Sequence, residues 1–167
     1  MPFLSRQARR KKLDFLLERI RPEHEVLEIG SGDGWLGRGL AERGIRCRGV
    51  DLQGPADWVG DIRDWKKLGI PAASFDFVVA LEVVEHVPCF AEIDALLKPG
   101  GHVFLTSPFP AWDFACAILE NAGLSQKRTS PHDHLIDFRD VPLFEKVELK
   151  RVGILSQWGL FRKPLSK

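Results

Sequence analysis

The sequence predicts an α/β protein: a doubly wound, mostly parallel, seven-stranded sheet with an antiparallel hairpin at its C-terminal edge. Three observations predict it. Short apolar runs alternate with amphipathic stretches over the first hundred residues, the pattern of repeated strand–helix units. Central runs such as FDFVVAL, residues 75–81, are almost wholly apolar, as befits strands covered on both faces. The last third differs, because in EKVELKRVGILS charged residues alternate with Val147 and Leu149, the pattern of a strand with one wet face.

Taken in order, ARRKKLDFLLERIRP reads as an amphipathic helix with Leu13, Leu16, Leu17 and Ile20 at helical spacing, stopped by Pro22. EVLEIG is a buried strand ending at glycine, and WLGRGLAERG is a helix closed by Gly44. CRGVD and DWVGD supply the second and third strands, and FDFVVAL the fourth. A crossover helix is expected over residues 89–97, stopped at Pro99-Gly100-Gly101, before the fifth strand HVFLTS. WDFACAILENAG is expected to form a further helix, and two tail strands joined through Gly153 to Ser156 the edge hairpin.

A chain of 167 residues suits one domain over 1–167, with an N-terminal helix (5–21), a core (22–108) and an acceptor-side helix with edge strands (109–167). Hydrophobic residues at 44% and charged residues at 28% are the balance of a soluble globular protein. A formal net charge of +1 gives no strong nucleic-acid signal. Five bases do crowd into RQARRKK, residues 6–12, either as the solvated face of the first helix or as a contact for an anionic lipid, phosphate or RNA. No signal peptide and no membrane span are expected. Cys47, Cys89 and Cys116 match neither a disulfide framework nor a zinc pattern, so reduced thiols and a cytoplasmic location are expected.

The chemistry concentrates in VLEIGSGDGWLGRGL, residues 26–40. A strand, a glycine loop and a helix place backbone N–H groups at the carboxyl edge of a parallel sheet, where ligands of such folds bind. Gly32, Gly34 and Gly37 spell a dinucleotide fingerprint, but that spelling starts two residues past the strand. Counted from the strand's end, Trp35 takes the third glycine's place and would crowd the helix–strand approach. Glu28 and Asp33 are also ill suited to a pyrophosphate, and better suited to a ligand with an ammonium and a positive sulfonium.

Four segments now line up with a known family. VLEIGSGDGWLGRGL, GVDLQ, VGDIRDW and FDFVVALEVVEHV resemble, in order, the first four motifs of class I S-adenosylmethionine-dependent methyltransferases. LLKPGGHVFLTSP is similar to the segment forming their fifth strand, and the EHV after strand four is closest to a small-domain, type 11-like branch. The resemblance covers roughly residues 22–108 and implies S-adenosyl-L-methionine as cofactor. It implies that Gly30, Gly32 and the backbone at Ser31 wrap the methionine end, with Glu28 orienting the loop or the ligand's ammonium. Asp51 would accept the ribose hydroxyls, which suits a carboxylate's paired acceptors. Leu52 would lie on the adenine, Asp61 would take its exocyclic amine, and Ile62 would offer a backbone N–H. Leu81 would face the cofactor, with Glu82 beside the methyl-transfer opening.

The acceptor is less legible. His86, His132 and His134 are the candidate catalytic residues, with Glu85 a weaker candidate base. Each histidine has a structural reading as well. His132-x-His134 lacks a third ligand, and no metal is expected. TSPF, residues 106–109, faintly resembles a base-methylating motif but follows strand five instead of strand four, so nucleic-acid methylation loses its support. Phe109 and Trp112 are either acceptor-lining or helix-packing residues. The expected function is methyl transfer to an oxygen or nitrogen nucleophile of a small organic acceptor. A protein or lipid-linked acceptor, a partner subunit completing the site, and a non-catalytic binding subunit stay open as alternatives.

Overall fold

The computed structural model of the protein describes residues 3–108, 136–153 and 156–165. Helix α1 spans Phe3–Leu17, followed by β1 (Val26–Ile29), α2 (Trp35–Ala41), β2 (Cys47–Asp51) and β3 (Trp58–Val59). After a one-turn 3-10 helix at Ile62–Asp64 come β4 (Phe75–Leu81), α3 (Phe90–Leu96) and β5 (Leu97–Pro108). A second one-turn helix, Phe138–Asp140, precedes β6 (Glu145–Val152) and β7 (Ser156–Arg162). The helix expected over WDFACAILENAG lies outside the described residues.

The strands form one sheet in the order β3-β2-β1-β4-β5-β7-β6. The first five run parallel, and β7 lies antiparallel between β5 and β6. The chain moves outward from β1 to β3 and then returns to β4 on the other side of β1. That reversal opens a crevice at the carboxyl ends of β1 and β4.

The central strands β1, β4, β5 and β7 feed two cores, because successive side chains point to opposite faces. On one face Phe15, Leu16, Leu36 and Leu40 from the α1 and α2 segments pack on Val26, Phe77, Val79, Phe104, Trp158 and Leu160. Phe15 stacks on Phe104 at 4.7 Å between ring centres. On the other face Phe90, Ile93 and Leu96 of α3 and Phe138 cover Leu27, Val78, Ala80, Val103, Leu105 and Phe161. Helices therefore cover both faces, as the apolar central strands require. Cys89 is buried in the second core, and Cys47 is half-buried; both are free thiols.

Element ends differ from expectation for identifiable reasons. Helix α1 stops at Leu17, four residues short of 21, because the backbone N–H groups of both Arg19 and Ile20 donate to the Leu16 carbonyl. The Arg19 guanidinium caps the Phe15 carbonyl at 2.8 Å. Helix α2 ends at Ala41, with Gly44 at φ +71° turning the chain into β2. The largest difference is at Pro99-Gly100-Gly101, expected as a turn between helix and strand but found inside β5. Gly100 has φ +76°, and a Cβ at Gly101 would stand 2.9 Å from the Lys98 carbonyl, so the two glycines let β5 bulge without leaving the sheet.

Gly37 sits inside α2, and a Cβ there meets nothing within 4 Å. Gly37→Ala is therefore expected to raise stability by about 0.5–1 kcal/mol, by removing glycine's entropy penalty. A higher denaturant midpoint at unchanged slope is the readout.

Candidate cofactor and active site

Gly30 leaves β1 with φ +74°, and its N–H donates to the Val50 carbonyl of β2 at 2.8 Å. A Cβ there would lie 2.6 Å from Val83 Cγ2, so the segment after β4 closes directly over the glycine. Gly32 also has positive φ, +51°, but a Cβ there would meet nothing within 4 Å. The loop is thus packed at its first glycine and open at its second. The Ser31 side chain turns inward against β2, where a Cβ on Gly49 would be 2.6 Å from its hydroxyl oxygen. Only the backbone of Ser31 is left to face a ligand.

Asp51 ends β2 with both carboxylate oxygens held by backbone. The Gly32 N–H donates to Oδ2 at 2.8 Å and the Gln53 N–H to Oδ1 at 3.0 Å. Each oxygen keeps a further acceptor site in a part-exposed carboxylate, the arrangement a vicinal diol requires. Leu52 beside it is 68% exposed, a large apolar side chain left in solvent at the rim of the crevice. At the next strand, Asp61 caps the 3-10 helix through the Arg63 N–H and binds the Arg63 guanidinium through both oxygens, at 2.6–3.1 Å. Those Arg63 hydrogen bonds hold its carboxyl below the usual range. In this structure Asp61 is a helix cap and ion-pair partner, and Ile62 is buried in the core.

Glu28 is buried beneath the loop. Burial first, then the charges of Asp33 and Asp51, push its carboxyl up to about 8, with Arg9 opposing the rise. Asp33 moves the other way: despite the penalty of partial burial, the hydrogen bond and charge of Arg9 hold it below the usual carboxylate range. The loop therefore presents less negative charge than the sequence suggests, since burial favours the neutral form of Glu28 and Asp33 is paired with Arg9. The case against a pyrophosphate rests more on Trp35, which packs against the α1/α2 core, than on loop charge.

Helix α1 supplies what the sequence reading missed. Arg9 binds Asp33 at 2.8 Å and lies 5.1 Å from the centre of the Trp35 ring. Lys12 binds Glu82 at 2.7 Å. The two bases are three residues apart and so share a helix face; Arg6, Arg10 and Lys11 are exposed. The basic run thus divides between site and solvent. Glu82, just past Leu81 at the end of β4, adopts φ +57° and is held at three points: by Lys12, by the Thr106 hydroxyl at 2.7 Å, and through its N–H to the Thr106 carbonyl at 2.9 Å. A non-glycine residue in this conformation is strained and persists where its surroundings fix it.

The structure therefore gathers Glu28, Gly30, Ser31, Gly32 and Asp51 at one end of the crevice, with Leu81 and Glu82 on the adjoining strand end. His86 follows in the half-buried turn after β4, its N–H bonded to the Val83 carbonyl at 2.9 Å. His132, His134, Phe109 and Trp112 lie outside the described residues. Among the described residues no group of three or more His, Cys, Asp or Glu side chains is placed to hold a metal ion, and no helix is long and apolar enough to cross a membrane.

Comparison with known proteins identifies the family. A family model described as a methyltransferase domain matches residues 3–151. The chain is 34% identical over 164 residues to a ubiquinone biosynthesis O-methyltransferase of Paraburkholderia phytofirmans, covering 85% of this chain and 70% of that protein. It is 33% identical over 100 residues to the protein of the same name from Ralstonia nicotianae, covering 49% of this chain and 42% of the relative, so it spans under half the length of several relatives it matches. Among solved structures, an S-adenosylmethionine-dependent methyltransferase from Methanosarcina mazei superposes with a TM-score of 0.63 at 18% identity, covering 91% of this chain and 98% of that one. With its sheet order, its glycine loop and the family match over most of its length, the chain belongs to the methyltransferase family and has the class I, S-adenosylmethionine-dependent fold.

Proposed function

We propose that this protein is an S-adenosylmethionine-dependent methyltransferase that methylates a hydroxyl oxygen of a small organic acceptor. The observation that carries the reading is the open space at Gly32 beside an Asp51 whose two oxygens are oriented by backbone N–H groups. The Gly30–Gly32 loop holds the methionine end, with Glu28 beneath it. Asp51 takes the ribose diol, Leu52 covers the adenine, and the turn at Asp61 and Ile62 borders it. Asp61 keeps Arg63 as its partner in this arrangement, so it is a weaker candidate for the adenine amine than the sequence alone suggests. When bound, the cofactor supplies a methyl group already activated by a positive sulfonium. The protein's remaining tasks are to align the acceptor oxygen in line with that carbon, exclude water and remove a proton.

Oxygen is favoured over nitrogen by the O-methyltransferase name that the similar proteins carry. The free thiols of Cys47 and Cys89 suit a cytoplasmic enzyme. His86, and His132 and His134 beyond the described residues, are the acceptor-side candidates. Incubation with S-adenosylmethionine and 4-methylcatechol is expected to yield S-adenosylhomocysteine and a methyl ether. Turnover of benzylamine in place of the catechol would overturn the oxygen assignment.

A further inference from the structure

Gln157 is a buried amide on β7, where every residue from Gln157 to Phe161 is buried and the others are apolar. Burying an amide is costly unless its polar groups all find partners, and here they do. Its Oε1 accepts from the Phe138 N–H at 3.1 Å, and its Nε2 donates to the Ile136 carbonyl at 2.6 Å and the Pro108 carbonyl at 3.3 Å. One N–H and two carbonyls fix which end of the amide is oxygen. Pro108 ends β5 and Ile136 follows residues 109–135, so one side chain holds both ends of that segment.

The face of β7 around Gln157 is shaped for the same attachment, since Gln157, Gly159 and Phe161 alternate onto one side. Phe138, wholly buried, meets Phe161 edge-on at 6.1 Å between ring centres, and a Cβ on Gly159 would stand 3.0 Å from its Cδ2. Gly159 thus makes room for the Phe138 ring, Phe161 supports it, and Gln157 fixes the backbone beside it. These ties lie on the crevice edge of the sheet, because Gln157 pairs with Ser107 near the carboxyl end of β5. Next to Ser107, the Thr106 hydroxyl donates to Glu82 just past β4, and Ile136 packs on the same core as Val83 and Val87. An apolar side chain of similar volume would fill this space. The amide adds a fixed geometry between Pro108 and Ile136, as fully satisfied buried polar groups do.

We infer that Gln157 is a positioning residue for the methyl acceptor. By tying Pro108 to Ile136 at the crevice edge, it sets the footing of residues 109–135, the acceptor-side segment that carries His132 and His134. The inference rests on the O-methyltransferase reading above. The bonds of Gln157 go to Pro108, Ile136 and Phe138, none of them part of the Gly30–Asp51 cofactor seat, so its loss separates acceptor handling from cofactor binding.

The test is Gln157→Met, which keeps length and volume and removes all three hydrogen bonds. With 4-methylcatechol, kcat/KM for the acceptor is expected to fall by roughly 10–100-fold, the scale of a small misplacement of aligning groups. Calorimetric titration with S-adenosylhomocysteine is expected to stay within about twofold of wild type. The Phe138 amide proton is expected to exchange with deuterium roughly tenfold faster, a readout of the lost tie that needs no turnover. Gln157→Asn, which keeps an amide on a stem one methylene shorter, is expected to fall between wild type and Gln157→Met in kcat/KM, and it carries the test where Gln157→Met fails to fold. Acceptor kcat/KM equal to wild type in the folded variants, with cofactor-product binding intact, would overturn this inference alone and leave Gln157 a structural tie. A matching loss of S-adenosylhomocysteine affinity would also overturn it, since the effect would not belong to the acceptor. Failure of wild type to bind S-adenosylhomocysteine, or to methylate 4-methylcatechol, would overturn the O-methyltransferase reading and this inference with it.

Discussion

Replacing Asp51 with alanine is expected to weaken S-adenosylhomocysteine binding by about 100-fold. The carboxylate does two jobs. Outward it offers the ribose diol two acceptors, and hydrogen bonds to a charged group contribute about 1.5–3 kcal/mol. Inward it anchors the Gly32 and Gln53 N–H groups, at 2.8 and 3.0 Å, so its removal also loosens the loop that seats the methionine end. Asp51→Asn preserves the shape and one acceptor oxygen and is expected to fall between wild type and alanine. Calorimetry is the measurement, and affinity within twofold of wild type in Asp51→Ala would sink the ribose assignment.

Gly30→Ala is expected to lower the melting temperature by roughly 5–10 °C, corresponding to about 2–3 kcal/mol in a chain of this size. Two costs combine. The left-handed conformation at φ +74° penalises any side chain by about 1–2 kcal/mol. The new Cβ would also stand 2.6 Å from Val83 Cγ2, forcing the segment after β4 to shift. Because that segment carries Glu82 and Glu85, transfer is expected to fall together with stability. Gly37→Ala, in the same glycine-rich stretch but in open space, is expected to move the melting temperature the opposite way. The contrast separates glycines required by geometry from one that is merely present.

What the sequence made legible and what it hid follow one physical division. FDFVVAL and EVLEIG announce buried strands, because both faces of a parallel sheet demand apolar residues regardless of partner. Asp51 was legible for a similar reason: a carboxylate at the end of the second strand stands at the crevice whatever the loops do. Features set by distant partners were not legible. Arg9 and Lys12 read as part of a basic helix face, since their partners Asp33 and Glu82 lie 24 and 70 positions away along the chain. Asp61 looked available to a ligand because nothing in its spacing showed that Arg63, two residues on, takes both oxygens. The burial of Glu28 beneath the loop was not legible either, because it is a tertiary fact. Pro99-Gly100-Gly101 spelled a stop, yet the pairing of Gly100 and Gly101 with Lys163 beyond β7 keeps the chain in the sheet.

The central claim is that the glycine loop and Asp51 seat S-adenosylmethionine and not a nicotinamide dinucleotide. Titration calorimetry of the wild-type protein with S-adenosylhomocysteine, and separately with NADH, tests it most directly. The expected result is saturable one-to-one binding of S-adenosylhomocysteine and no binding heat with NADH. Tight binding of NADH, with none of S-adenosylhomocysteine, would contradict the account.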